Sequence, residues 1–296
     1  MSKILINTSN LHVGGGVQVA VSFIDELSKS KHNLNLYDLW LSTEIYDNLI
    51  EINSDLSHFN SIKIINYYGI MSLFSLNLIY KILFVYKTVF TLFGPMYVFV
   101  KPHKHIMGFA QPSIIYPEIA INLQRNKFIQ WILLFKLKLQ EYFFTKVDFL
   151  IVELEHVKIN LLQKKRFRNI PIFIVHNCFS NIFLKPELWQ PLYFPKSDSL
   201  NIGYLGRNYL HKNLNILPEV LVILKNKFKL NINFYVTLTD EEWNSSSSVF
   251  KENIINIGKL SVAQCPSYLS ELDGVIFPSL LECFSATPLE GLIMGK

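Results

Sequence analysis
Short apolar runs alternate with amphipathic stretches of helical period along most of this chain, and that alternation narrows the fold more than any other feature. Strands that alternate with helices imply parallel α/β sheets, because each crossover helix returns the chain to the edge where the last strand began. Residues 3–8 (KILINT) read as a first strand. The glycines Gly14, Gly15 and Gly16 follow, and then Val17, Ala20, Val21, Ile24 and Leu27 recur at helical spacing, with Asp25 and Glu26 off that face. Further strands are expected at 34–39, 62–66, 105–110, 149–152 and 172–175, with helices at 128–144 and 155–164. Residues 183–200 carry three prolines and no period, as a hinge does. Beyond them the rhythm resumes, with strands at 200–205, 231–236, 253–257 and 274–277. Helices are expected at 214–228, 266–271 and from Pro288 onward, and serines 245–248 as a loop tip. The expectation is α/β: two Rossmann-like domains, 1–182 and 201–296, joined by the hinge 183–200 and facing a cleft.

Composition limits the function classes. Half of the 296 residues are hydrophobic and the mean hydropathy is +0.25, enough for a core and too much for a disordered chain. The net charge of +5 suits an anionic partner such as a phosphate-bearing ligand or an acidic lipid surface. The basic residues are scattered and form no recognised module, so nucleic acid is not expected. Cys178, Cys265 and Cys283 are odd in number, without CxxC spacing, and fit a reducing compartment. The opening MSKILINTSN turns polar too early for a secretory leader, so a cytoplasmic location is expected. Residues 70–100 are the most hydrophobic stretch. Lys81, Lys87 and Gly94-Pro95 interrupt it before a spanning length, and it reads as helices in the core or on a membrane surface. Residues 128–144 interleave Lys136 and Lys138 with aromatics, and a peripheral contact with the cytoplasmic face of a membrane is the corresponding expectation.

Three constellations carry chemistry. Glu282 and Glu290 stand eight apart on a segment where an apolar strand feeds Pro278-Ser279, small residues surround Phe284, and a helix opens at Thr287-Pro288. The spacing alone is weak, but a helix N-terminus offers free N–H groups to an anion. Glu290 also completes a capping box with Thr287, a structural role compatible with ligand contact. The second constellation is Gly206-Arg207 with Lys212-Asn213 at the end of a strand, where open α/β sheets bind ligands. A planar fork and a point charge five residues apart suit a diphosphate. The third is the Gly14–Gly16 loop, whose spacing lacks the dinucleotide pattern and so disfavours a nicotinamide cofactor.

In this order the three pieces resemble the family 4 (group 1) retaining glycosyltransferases of the GT-B fold. Gly206-Arg207 with Lys212-Asn213 resembles the family's G-R-x4-K-[GN] signature, and Glu282 with Glu290 its E-x7-E segment. The resemblance implies a nucleotide-sugar donor, with Arg207 and Lys212 on its diphosphate, Glu282 on the sugar hydroxyls as the catalytic carboxylate, and Glu290 on the ribose. It implies backbone N–H groups of Phe284, Ser285 and Ala286 near the donor beside Gly206, and Gly14, Gly15 and Gly16 facing phosphate or acceptor. A glycan or lipid-linked acceptor in bacterial surface polysaccharide synthesis is expected, with no cofactor and no metal. Where members often carry a histidine, after the strand 106–110, this chain has Gln111. Cys283 and Ser285 stand where glycines are common.

Two other classes stay open. One is a non-catalytic membrane-surface protein that keeps the scaffold; the other is an epimerase or phosphorylase on it. The chain stops at Gly295-Lys296, soon after Pro288 opens a helix. The second domain is therefore expected to be incomplete, and the protein inactive as given.

Overall fold
In the computed structural model, which describes residues 3–67, 69, 80, 84–99, 101–195 and 198–296, the first apolar run forms strand β1 (Ile4–Asn7). It lies inside a parallel sheet with β2 (Tyr37–Leu41), β3 (Ser61–Ile64), β4 (Thr88–Thr91), β5 (Lys104–Gly108), β6 (Phe149–Val152) and β7 (Ile172–Ile174). The strand order is β3-β2-β1-β4-β5-β6-β7. Helix α1 (Gly15–Ser28) buries Val17, Ala20, Val21 and Ile24. These meet Ile6, Leu39 and Leu41 of the sheet and Ile45 and Leu49 of α2 (Thr43–Glu51) in one core. Each of the valines, leucines and isoleucines among them contributes roughly 1.5–3 kcal/mol on burial. The unit continues with α3 (Pro112–Ile115), α4 (Pro117–Asn122), α5 (Lys127–Phe144) and α6 (Glu155–Gln163).

A second parallel sheet holds β8 (Leu200–Tyr204), β9 (Ile232–Val236), β10 (Ile254–Asn256) and β11 (Gly274–Val275), in the order β10-β9-β8-β11. Its helices are α7 (Leu217–Phe228), α8 (Asp240–Ser245), α9 (Ser248–Asn253), α10 (Cys265–Ser270) and α11 (Thr287–Ile293). Tyr204, Leu214, Leu217, Phe234, Val236 and Phe250 form its core. Both sheets begin in the middle, wind outward over three strands, and then cross back. Each therefore has a switch point, between β1 and β4 in the first and between β8 and β11 in the second, where diverging loops leave a crevice.

The compact units are Met1–Asn177 and Cys178–Lys296. The proline-rich stretch 183–200 groups with the second, because it is tied down there. Trp189 Nε1 donates to the Ile182 carbonyl at 2.7 Å, Gln190 N to the Ala263 carbonyl at 2.9 Å, and Phe194 packs 4.5 Å from the Tyr235 ring.

Several expectations change. Thr88–Thr91 is a central strand, not part of a helix, and within 70–100 residues 70–79, 81–83 and 100 lie outside those described. A buried parallel strand shows no alternation, so an apolar run with β-branched Thr88, Val89 and Thr91 reads equally well as helix. Gly15 and Gly16 open α1, leaving Gly14 alone before it. Residues 34–36 form a 3-10 turn capped by Asn33, so the strand starts at Tyr37. The serines 245–248 are no loop tip. They end α8 and begin α9, with Ser247 capping the latter at Phe250 N. The structure adds the helices α2, α3, α4, α8 and α9, none of which the sequence reading assigns. Among the described residues, no helix is long and apolar enough to cross a membrane.

Candidate functional site
The two loops flanking the second switch point carry the residues singled out in the sequence. Strand β8 ends at Tyr204, and its apolar side chain is fully buried beneath the loop. Gly206 then takes φ +149°, a conformation that side-chain-bearing residues rarely adopt, and a Cβ there would meet the Tyr204 hydroxyl at 2.8 Å. Gly206 N donates to Thr237 Oγ1 at 3.1 Å, and the Tyr204 hydroxyl donates to the Arg207 carbonyl at 3.0 Å. The loop is thus pinned before it presents Arg207. Strand β11 feeds the other loop. Leu280 N donates to the His211 carbonyl at 2.8 Å, Ser279 Oγ to Glu282 Oε1 at 2.6 Å, and Lys212 Nζ to the same oxygen at 2.5 Å. Lys212 Nζ also lies 5.0 Å from the Phe277 ring centroid. Lys212 and Glu282, 70 residues apart in sequence, therefore meet across the switch point.

Arg207 meets a residue that the sequence reading missed. Its Nε donates to Glu242 Oε1 at 2.8 Å, and Asn208 N donates to that oxygen at 3.1 Å. Glu242 Oε2 accepts from Thr239 N at 3.0 Å, and the two residues form the capping box of α8. Burial pushes the Glu242 carboxyl up, but the hydrogen bonds from Arg207, Thr239 and Asn208 outweigh it and hold the group below its ordinary value. The capping box is a visible sequence signal in Thr239-x-x-Glu242; the ion pair to a residue 35 positions away is not.

Glu290 is only 4 % exposed, and among the described residues no donor reaches its carboxylate. Burial raises it from its ordinary 4.5 to about 7. The expected capping box with Thr287 does not form. Ala286 is the residue before the helix, Thr287 is already helical, and its hydroxyl donates to the Leu205 carbonyl at 3.3 Å, tying α11 to the end of β8. The backbone N–H groups of Phe284, Ser285 and Ala286 donate to no described residue. Cys283 is buried between them and Glu282.

The first switch point is built differently. Gly14 has φ 70° and ψ −155°, open in practice to glycine alone, whereas an added Cβ at Gly15 meets nothing within 4 Å and at Gly16 touches Leu11 at 3.4 Å. Only Gly14 of the three thus needs to be glycine. Asn10, which sequence reasoning missed, spans the crevice: its Nδ2 donates to the Phe93 carbonyl at 2.8 Å. Its buried Oδ1 has no partner among the described residues. Glu153, at the end of β6, is 8 % exposed and raised by burial, which the hydrogen bond from Asn177 at 2.8 Å opposes. His105 lies within β5, fully buried between Thr91 Oγ1 and the Lys146 carbonyl, and burial lowers it to about 4. It is a neutral core histidine. Gln111 precedes α3 at the end of the same strand. Among the described residues no three His, Cys, Asp or Glu side chains converge as a metal set would.

No family model matches this chain, and no curated protein matches it in sequence. Solved structures do match. A sucrose-phosphate synthase from Thermosynechococcus elongatus superposes with a TM-score of 0.65 at 12 % identity, over 100 % of this chain and 80 % of its own. A glycosyltransferase from Rickettsia africae gives 0.60 at 15 % identity, over 100 % and 78 %. WaaG, a glycosyltransferase involved in lipopolysaccharide biosynthesis, gives 0.61 at 10 % identity, over 99 % and 79 %. At such identities the likeness is one of fold, and this chain has the α/β fold of the GT-B glycosyltransferases.

Proposed function
We propose that this chain is built to transfer a hexose, with retention, from a nucleotide-diphosphate sugar to a glycan or lipid-linked acceptor in bacterial surface polysaccharide synthesis. The observation that carries the reading is the switch-point contact between Lys212 and Glu282, with Arg207 on the same loop and the buried Glu290 on the next helix. Breaking the bond from the sugar's anomeric carbon to the donor phosphate puts positive charge on the ring and negative charge on the diphosphate. Arg207 and Lys212 stabilise the latter from fixed positions, without calling on a metal ion or cofactor. Arg207 spends only Nε on Glu242, and an ammonium has three donors, so both cations can take phosphate oxygens without leaving their carboxylates. Glu282 accepts from the sugar hydroxyls and Glu290 from the ribose, while Gly206 and the N–H groups of Phe284, Ser285 and Ala286 line the donor. In the first unit Gly14, with Gly15 and Gly16 at the start of α1, faces phosphate or acceptor. The acceptor hydroxyl attacks from the leaving group's own face, and a phosphate oxygen takes its proton.

The test is a panel of nucleotide sugars scored by release of nucleoside diphosphate, with Arg207→Ala and Lys212→Ala alongside. A charge-assisted phosphate contact is worth roughly 1.5–3 kcal/mol. Each variant should therefore bind nucleotide at least about tenfold more weakly. Unchanged affinity in both removes the clamp. A second reading, a non-catalytic membrane-surface protein on this scaffold, draws on Phe128, Trp131 and Phe135, which are exposed on α5, and turnover of any donor excludes it.

A further inference from the structure
The second unit carries a groove that the switch point does not use. One wall is the start of α7, and the other is the junction of α8 with α9, where Ser246 and Ser247 are both extended and break what would otherwise be one helix. The groove opens beside Asn208, on the loop that presents Arg207. Its volume is about 630 Å³, within the range of about 300–1,000 Å³ that small-molecule sites occupy. None of Lys212, Glu282 and Glu290 lines it. It is joined to the Arg207 loop through Glu242, whose carbonyl accepts from Ser245 and Ser246 and whose carboxylate accepts from Arg207.

The chemistry of the lining selects the ligand. No lysine, arginine or histidine lines the groove, so a phosphate or carboxylate finds no cation there, and the single acidic side chain, Glu219, repels it. One carboxylate is too few to hold a metal ion. What remains is amide and hydroxyl. The Ser245 and Ser246 hydroxyls both donate to the Glu242 carbonyl at 2.9 Å, so their lone pairs are left to accept. Asn253 Nδ2 donates to the Val249 carbonyl at 2.8 Å, which leaves Oδ1 as an acceptor. Ser247 is the reverse case, since its Oγ accepts from Phe250 N at 3.2 Å and keeps its proton to give. The side-chain amides of Asn208 and Asn215 engage no described residue, and each offers donors and an acceptor together. Val222 and Val249, 52 % and 56 % exposed, add aliphatic surface. Donors and acceptors set among aliphatic side chains, without a cation, match a ring that carries hydroxyls on its rim and C–H bonds on its faces.

We propose that the groove between α7 and the α8–α9 junction binds a neutral saccharide, at a site separate from the switch point. Asn208, Asn215 and Ser247 donate to its hydroxyls, Ser245, Ser246 and Asn253 accept from them, and Val222 and Val249 pack on its C–H faces. The inference does not rest on the transferase reading, because binding is measured without a donor and without turnover.

The experiment is calorimetric titration of the full chain with maltotetraose, cellotetraose and the tetramer of N-acetylglucosamine, each with and without saturating uridine diphosphate. At least one should bind, with an affinity that uridine diphosphate leaves unchanged. Asn215→Ala should weaken that binding by about tenfold, the loss of one or two hydrogen bonds. Val222→Arg should abolish it by laying a long side chain across the groove. Both positions are exposed, so neither variant should move the melting transition. Failure of all three saccharides to bind overturns the proposal, and so does a Val222→Arg variant that binds as the wild type does. Displacement by uridine diphosphate overturns it by putting the saccharide at the switch point. A hyaluronan tetrasaccharide that binds more tightly than the neutral ones overturns it as well, because a groove without cations has nothing to prefer in a carboxylate.

Discussion

Glu290 gives the second unit a pH dependence that a single substitution should remove. The carboxylate is 4 % exposed, no described donor reaches it, and burial moves it from 4.5 to about 7. In the unfolded chain it gives up its proton near 4.5, and in the folded chain only near 7. Between those values the folded state binds more protons, so stability falls as pH rises, at up to about 1.4 kcal/mol per pH unit. The contribution is fully present below pH 4.5 and lost once pH passes 7, an accumulated loss of about 3 kcal/mol. Glu290→Gln keeps the shape and removes the titration. Urea unfolding of both proteins from pH 4 to 8, followed by circular dichroism, should show the variant gaining on the wild type through that window and levelling off above it. Parallel pH profiles would refute the reasoning, since they would mean that the carboxylate finds water or a donor on folding.

Two further outcomes follow from backbone and ion-pair geometry. A Cβ added at Gly108 would lie 1.9 Å from the Leu92 carbonyl oxygen, which is backbone and cannot rotate away, so Gly108→Ala should destabilise the first unit by about 3 kcal/mol in denaturant titration. Glu242→Ala removes the acceptor of Arg207 Nε and breaks the capping box of α8, and should lower both melting temperature and nucleotide affinity. Glu242→Gln keeps an acceptor oxygen and should recover part of each. Because the Glu242 carboxyl is held below 4.5, its stabilisation is present above that value and fades as pH falls through the lower folded value, a loss that both variants should lack.

The sequence exposed most of this fold because buried parallel strands are short apolar runs bounded by turns. Phe149–Val152 and Ile232–Val236 stand out for that reason, and Lys127–Phe144 by its length alone. The same property hid Thr88–Thr91, whose neighbours are apolar too, so that periodicity had no contrast to work on. At the switch point, Gly206, Arg207, Lys212 and Glu282 were legible as residues of strand-end loops, and Glu290 as a residue of the helix that follows, since both can be read locally. Glu242 and Asn10 were not, because an ion pair to Arg207 and a hydrogen bond 83 residues distant depend on which loops the sheet order brings together. The failed capping box at Thr287 has the same origin. The local pattern was satisfied, but a tertiary acceptor, the Leu205 carbonyl, claimed the hydroxyl.

If the proposed function holds, the ion pairs lead to an asymmetry between donor and bare nucleotide. Lys212 is held by Glu282 and Arg207 by Glu242, so each cation has an anionic partner, while Glu290 is uncharged below about pH 7. A nucleoside diphosphate entering alone finds little net positive charge. A nucleotide sugar changes this. On the proposed reading its hydroxyls donate to Glu282 and draw off the negative charge that neutralises Lys212, so that the ammonium's remaining donors meet the phosphates with more of their charge uncompensated. Sugar and diphosphate then bind cooperatively through one shared side-chain pair. Glu282→Gln should separate the two effects. It cuts transfer, because the carboxylate on the sugar is gone, yet it tightens bare nucleoside diphosphate, because Lys212 no longer has an anionic competitor. The pair is largely shielded, with side chains 16 % and 24 % exposed, so the gain should be about 1 kcal/mol, or roughly fivefold in Kd by calorimetry. Bare nucleotide bound equally well or more weakly by Glu282→Gln would show that Lys212 serves the fold at this switch point and not the phosphates.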